Sequence, residues 1–494
     1  MVRRIRFVRT LGLFDAVMLG IGFIIGSGIY IMPLLAAQQA GALSIFAWII
    51  GGIFSILTGL CFAECAMHLP KAGGLYTYTH KAFGNFKGFI AGYSFWIGYI
   101  ITIATEIFAL SWYMQFFVPV PELWRLLIAS VFCALFTYIN YRGVKLGAEL
   151  DDVFTIGKMI PLILLILVGI FFFNPGNFLL PATNAGALAN PMQGFMLAIL
   201  LALWAYLGAE IITVPEEEIK NARKTVPKAV IVAVLTAMAI YVLVAFVAIG
   251  AVNWHNFQDS QAPLADIANS LFNGFGAILA LGGLISILGA LNAVILASAR
   301  ISYAMASDNL FPKAFMHLHR LHKTPDRALV LHFIIAIALV FAVRSFTALA
   351  GLAVLFTLIP YLFTCASTLK LQRKHGIKHI LHTPAIPVIA IIACMTLIAY
   401  SLAQNLLAPL VLIAIGLLIY FAITRRLLRN SELLKIENDV RGIERKAMQE
   451  FSGIERIALE VEQKAKEEAV EIESKLGMRR RIENELEETF GKKK

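Results

Sequence analysis

The stretch Gly20-Ile21-Gly22-Phe23-Ile24-Ile25-Gly26-Ser27-Gly28-Ile29-Tyr30 sets four glycines and a serine in the middle of an otherwise apolar run from Leu11 to Ala37. A run of that length can cross a bilayer, which takes about 20 residues of helix because unpaired backbone groups cannot be left in hydrocarbon. Glycine lowers the cost of leaving the helix and lets a ligand touch backbone, so the segment predicts a membrane helix broken near its midpoint. Close helix packing through small residues is the other reading of the same glycines. A dinucleotide-binding loop is excluded, since no strand precedes the segment and no ribose-binding acid accompanies it.

The rest of the chain supports a membrane setting. Of its 494 residues 59% are hydrophobic and 15% charged, against about 25% charged in an average soluble domain. Residues 430–494 contain 16 of the 31 acidic side chains, so the first 429 residues carry a net +13 and the tail −2. That basic excess reads as membrane topology; no basic patch interleaved with aromatics suggests nucleic acid. Cys61, Cys65, Cys133, Cys365 and Cys394 all fall in apolar stretches and read as packing residues, with neither a disulfide framework nor a paired metal site. Arg3, Arg4, Arg6 and Arg9 before the first apolar run imitate a signal peptide, but the run is too long and further spans follow.

Twelve apolar segments are long enough to span: about 13–37, 42–66, 86–118, 123–141, 153–174, 192–215, 228–252, 268–306, 328–345, 347–370, 384–403 and 406–424. With the N-terminus inside, the inner segments hold 24 Lys and Arg and the outer ones only Arg125 and Arg344. This bias predicts a multi-pass cell-membrane protein with both termini cytoplasmic. Past Asn430 the composition turns to Glu, Lys, Arg and Ile, with apolar residues from Leu433 to Leu476 at the helical period. The tail, 430–494, is therefore expected to be a charged cytoplasmic amphipathic helix, either solvated, on the membrane surface, or self-associating through its stripe.

A second interruption lies in span six, where Glu210 ends Trp204-Ala205-Tyr206-Leu207-Gly208-Ala209-Glu210. A carboxylic acid inside a membrane is costly and usually functional, although a structural acid bonded to a neighbouring helix fits as well. Spans one and six are five apart, as in two inverted five-helix halves, about 13–174 and 192–370, that set two broken helices face to face. Lys158 lies six residues into span five. An unpaired ammonium there would cost several kcal/mol or lose its proton, so it either snorkels to the cytoplasmic edge or faces the bundle. Facing inward, its amine replaces a bound sodium ion or cycles protonation, with Glu106 in span three the second choice as proton carrier. His317, His319 and His322, like His375, His379 and His382, sit in cytoplasmic loops where headgroup or surface contact outweighs metal binding. No Ser-His-Asp, HExxH or phosphate-cradling motif is present, so no enzyme chemistry is expected.

Four stretches together carry a family resemblance: Gly26-Ser27-Gly28-Ile29-Tyr30; Pro70 to Tyr78 with Ala82-Phe83-Gly84; Trp204 to Glu210 continuing through Glu217 to Asn221 and Thr225 to Ala229; and Phe356 to Cys365 around Pro360-Tyr361. Over about residues 8–425 the chain resembles the amino acid/polyamine/organocation (APC) superfamily of secondary transporters. The resemblance implies an all-α integral membrane protein with twelve transmembrane helices, a LeuT-like 5+5 inverted repeat with spans 1 and 6 discontinuous, and spans 11–12 at about 384–424, making 1–429 the transporter domain. It implies a substrate carboxylate on backbone amides around Ser27 and Gly28, within Ile24, Gly26, Ser27 and Gly28, and a substrate amino group on carbonyls near Ala205, Tyr206 and Gly208. Phe23 and Trp204 would shape the side-chain pocket, and Asn292 is a weaker pocket residue. In sodium-independent members a span-five lysine takes the place of a sodium ion, and Lys158 matches it by its spacing to Pro161. Val294 stands where the arginine/agmatine exchangers carry an aromatic gate, which argues against a decarboxylation-linked exchanger.

The expected function is thus a secondary active amino acid transporter, a proton-coupled symporter working by alternating access, with Lys158, Glu210 and Glu106 as the coupling groups. No cofactor, metal or nucleic acid is expected; the proton is the coupling ion, and the partners are a small amino acid and the bilayer. An amino acid exchanger is the alternative, separated by whether uptake requires internal substrate. A nutrient receptor or scaffold that binds without flux is the remote one. Substrate polarity stays open here, since Glu210 suits cationic amino acids whereas Phe23, Trp204 and Val294 suit apolar ones.

Overall fold

The computed structural model describes residues 11–69, 73–184, 188–213, 219–372, 381, 383–425, 464 and 467. Among these the chain is helical: no strand is formed, and one isolated parallel bridge pairs Leu11 with Ile219. Contacts divide the chain into a unit over Met1–Gly416 and a second over Leu417–Lys494. The expected amphipathic tail helix and its self-association lie outside the described residues, apart from Lys464 and Glu467.

Span one is two helices, α1 (Leu13–Ile24) and α2 (Ser27–Ala40), followed by α3 (Ser44–His68), the short α4 (Gly74–Phe83), α5 (Asn85–Met114), α6 (Glu122–Arg142) and α7 (Val144–Gly169). Next come α8 (Pro191–Tyr206), α9 (Ala222–Gly250), the short α10 (Pro263–Leu271), α11 (Phe275–Ser307), α12 (Asp326–Val343), α13 (Phe346–Gln372), α14 (Ala385–Gln404) and α15 (Leu407–Arg425). Among the described residues ten stretches are long and apolar enough to cross a membrane, with α1 and Gly157–Phe172 as shorter apolar helices. The span-eight expectation of 268–306 merges two elements, because Gly274, at φ +86°, turns the chain between α10 and α11.

Helix α5 is the axis of the bundle. Nearly every side chain from Gly88 to Met114 is buried, and a helix apolar all round has to be surrounded. Trp96 Nε1 of α5 donates to His332 Nε2 of α12 at 2.8 Å, while His332 Nδ1 lies 3.0 Å from Ser298 Oγ of α11, so one neutral imidazole ties three helices. Tyr113 of α5 donates to the Tyr30 carbonyl of α2 at 2.6 Å, and Tyr30 in turn donates to the Lys158 carbonyl of α7 at 2.7 Å. The outer helices α6, α12 and α14 leave large apolar side chains exposed, among them Trp124, Val131, Ile334 and Ile392. Such a belt has no favourable solvent other than lipid. All five cysteines are buried and none forms a disulfide.

Outside the spans, α4 is tied to the end of α11 and the start of α5. Tyr76 OH donates to Asp308 Oδ2 at 2.8 Å, His80 Nδ1 lies 3.3 Å from the same oxygen, and His80 Nε2 lies 2.9 Å from Asn85 Oδ1. The Asp308 hydrogen bond holds the His80 imidazole above its usual range, and the His80 hydrogen bond holds the Asp308 carboxyl below its own. The histidine contribution is complete below its unfolded value of about 6.5 and fades as pH rises through the higher folded value; the aspartate contribution is lost only as pH falls below about 3.9. His80→Gln is therefore expected to destabilise the protein most near about pH 6 and progressively less toward about pH 9. With Asp308 42% exposed, the effect should stay under about 1 kcal/mol. Thermal melts across pH check this, and a deficit that grew with pH would reject the ion pair.

Candidate functional site

Span one breaks where the glycines concentrate. Helix α1 ends at Ile24, Ile25 and Gly26 leave helical geometry, and α2 restarts at Ser27 without a capping side chain. The first amides of α2 therefore have no partner within the helix, and they form a positive helix end inside the bundle. The carbonyls of the break are taken up by three other helices. Lys158 Nζ of α7 donates to Gly22 O, Tyr241 OH of α9 to Ile24 O at 2.6 Å, and Ser286 Oγ of α11 to Ile25 O and Gly26 O, each at 3.1 Å. Lys158 is 1% exposed, so it faces the bundle and does not snorkel to an edge.

Span six breaks opposite. Helix α8 ends at Tyr206, Leu207 is extended, and Gly208 takes φ +122°, after which a 3-10 turn runs over Ala209–Thr213. Only glycine accepts that dihedral without strain, and a Cβ there would also lie 3.0 Å from the Phe23 carbonyl. Glu210 is fully buried and stabilises the break: Tyr99 OH donates to Oε1 at 2.9 Å, and Tyr361 OH (2.5 Å) and the Gly208 N–H (2.9 Å) donate to Oε2. Both of its oxygens are thus engaged, as an acid structuring the broken backbone requires.

The two breaks touch. A Cβ on Gly28 would lie 2.5 Å from Ala205 Cα, so the start of α2 meets the end of α8 backbone to backbone. Tyr241 OH, already on Ile24 O, also lies 3.0 Å from Ala205 O and so links both interruptions. Between them is a cavity of about 40 Å³, with walls that include Phe23, Ile24, Gly26, Ser27, Gly28, Glu106, Trp204, Ala205, Gly208 and Glu210. The N-terminal end of α2 and the C-terminal end of α8 border it from opposite sides, and opposed helix ends of opposite partial charge suit a small zwitterion.

Not every anticipated residue turns its side chain to this cavity. The Tyr206 ring points away, donating to Trp48 O at 3.1 Å and packing on Trp48 and Tyr241. Asn292 is buried behind the wall and accepts from Asn140 Nδ2 of α6 at 2.8 Å. Lys158 is not part of the lining either. Conversely, Tyr99, Thr102, Leu207, Ile211, Ala290 and Val294 line the cavity, and of these only Val294 stood out in the sequence. Tyr99, Thr102 and Glu106 are spaced i, i+3, i+7 on α5, so following the helical face that carries the buried acid would have found the other two. Among the described residues no group of three or more ligating side chains converges, and His375, His379 and His382 lie outside them.

Comparison with known proteins agrees with this architecture. Residues 11–424 match the family model described as amino acid permease. The chain is similar to the methylthioribose transporter of Bacillus subtilis (strain 168), at 29% identity over 440 residues, covering 85% of this chain and 94% of that protein. It is similar to the branched-chain amino acid permease BcaP of the same organism, at 27% over 441 residues, covering 85% and 93%. It is also similar to the serine/threonine exchanger SteT, again of Bacillus subtilis, at 30% over 402 residues, covering 78% and 88%.

Proposed function

The chain belongs to the amino acid permease family, and from that premise we propose that it is a proton-coupled, sodium-independent amino acid symporter of the cell membrane, working by alternating access. Counting α1 with α2 as one passage and α7 as another gives twelve passages, with both termini cytoplasmic by the charge bias of the loops. The reading rests chiefly on the cavity between the two broken helices, walled by residues from the start of α2 on one side and from the end of α8 on the other. The substrate carboxylate sits at Ser27 and Gly28, and its ammonium at the Ala205, Tyr206 and Gly208 backbone. Lys158 occupies a sodium ion's position: its ammonium satisfies the Gly22 carbonyl, as a bound cation would, which supports sodium independence.

Glu210 holds three donors of its own chain, so it is not free to select cationic side chains. With Phe23, Trp204, Leu207, Ile211 and Val294 as walls, small neutral amino acids are the substrate class. Uptake into proteoliposomes tests the coupling: an imposed inward proton gradient should drive accumulation with no internal amino acid. The similarity to a serine/threonine exchanger supports obligatory exchange as the second reading, and an absolute need for internal substrate would establish it. A thermal-shift screen that includes methylthioribose alongside the amino acids tests the substrate class.

A further inference from the structure

Two buried acids face the cavity and they are not equivalent. Glu210 has both oxygens engaged by three residues, whereas Glu106, 4% exposed, is met by Ser27 alone among the described residues, with Ser27 Oγ donating to Oε1 at 2.9 Å. Its Oε2 is buried with no hydrogen-bond partner. The carboxyl also stands at the start of α2, since a Cβ on Gly26 would lie 3.7 Å from Oε1. Ser27 thus donates to the chain's own carboxyl at the place where an incoming anion would need that donor. A bare buried oxygen is anomalous unless something fills its place, either a proton or a ligand donor.

We propose that the substrate α-carboxylate and Glu106 compete for the Ser27 end of α2, and that binding therefore takes up one proton, carried by Glu106. Two carboxylates sharing one site cannot both stay ionised, and they keep a single proton between them. On binding, Ser27 Oγ turns from Glu106 to the substrate, and a proton from the bathing solution forms the O–H bond at Oε2. That O–H then donates to the substrate carboxylate. On release to the opposite side the proton returns to solvent and Ser27 Oγ to Oε1, so one proton crosses per substrate and the charges balance. The other titratable groups around Glu106 are Lys158 from α7, Tyr241 from α9, Tyr99 from its own helix, and Glu210 across the cavity with Tyr361 of α13 bound to it; α11 contributes only Ala290 and Val294. This inference rests on the proton-coupled reading above and names the group that carries the proton.

The test is calorimetry on the purified full chain, using whichever of L-alanine, L-serine, L-threonine and L-leucine raises its melting temperature most. Titrations in two buffers of different ionisation enthalpy count the protons taken up. For the native chain titrated on the alkaline side, where Glu106 is ionised before substrate arrives, the expected result is close to one proton per substrate, with Kd weakening about tenfold per pH unit. Glu106→Gln, shaped like the protonated acid, is expected to bind with no proton uptake, a flat pH profile, and tighter affinity than the native chain at alkaline pH; a merely structural role would not produce that gain. Proton uptake that persists in Glu106→Gln overturns the proposal and leaves the symport reading standing. No uptake in the native chain even on the alkaline side overturns both, as does the failure of all four amino acids to bind. If Glu106→Gln does not fold, Glu106→Asp withdraws the carboxyl from Ser27 and should shift the pH midpoint; an unshifted profile overturns the proposal.

Discussion

Gly28→Leu is expected to abolish substrate binding and uptake while the bundle remains assembled. The missing side chain is what lets α2 and α8 meet, because a Cβ would come within 2.5 Å of Ala205 Cα, 2.6 Å of its Cβ and 3.1 Å of its N. Two of those three atoms are backbone, so no rotamer change relieves the clash and the two half-helices must separate. Overpacking of this kind costs about 1–3 kcal/mol, which a bundle with so much buried apolar surface survives. The site does not survive it, since the α2 amides and the α8 carbonyls must hold one small zwitterion together. A misplacement of about 1 Å in such a constellation costs roughly 100-fold. Thermal melts would report the folding and binding titrations the site. Gly26→Ala is the control: its Cβ meets Ala290 Cβ at 3.2 Å, a contact a few tenths of an ångström would relieve, so its effect should be far smaller. Normal affinity in a folded Gly28→Leu protein would mean that the two breaks do not form the binding site.

The breaks themselves were legible in the sequence because each violates its surroundings locally. Four glycines interrupt one apolar run, and Gly208 with Glu210 interrupts another. A membrane helix has no cheap way to tolerate either, so composition alone locates them. What supports the breaks was not legible. Tyr241 lies in α9, an unremarkable apolar helix, and Ser286 in α11, another; nothing near either residue announces a hydrogen bond to an interrupted helix. Their roles arise from helix packing, which hydropathy does not encode. Asn292 shows how such a signal divides: a polar residue in an apolar span looks functional, and in the fold it answers Asn140 on the neighbouring α6. Glu210 falls between, its position readable and its use dependent on Tyr99 and Tyr361 arriving from other helices. An acid in a span signals that something binds it, without distinguishing the chain's own donors from a substrate's.

Lys158→Ala is expected to eliminate proton-driven accumulation and to weaken substrate binding at every pH, which separates it from Glu106→Gln. The Lys158 ammonium sits on Gly22 O, one turn before the break, while its backbone carbonyl accepts from Tyr30 OH of α2. Truncation leaves α7 in place through that second bond but removes the donor from a half-buried carbonyl of α1. An unsatisfied buried acceptor costs about 1–3 kcal/mol, and the α1 end next to the cavity can lower that cost by shifting. Because Phe23 and Ile24 of that end line the cavity, the shift appears as lost affinity, roughly 5- to 150-fold if the full cost falls on binding. The same loss removes a cation from beside Glu106 and disturbs the Ser27 contact on which the proposed proton uptake depends, so a pH gradient should no longer drive concentrative uptake. Sodium offers a further check: if the ammonium stands in for that ion, added sodium should partly restore binding in Lys158→Ala and do nothing to the native chain. Uptake in Lys158→Ala with native affinity and an unchanged pH dependence would show that the lysine only fills space behind the break.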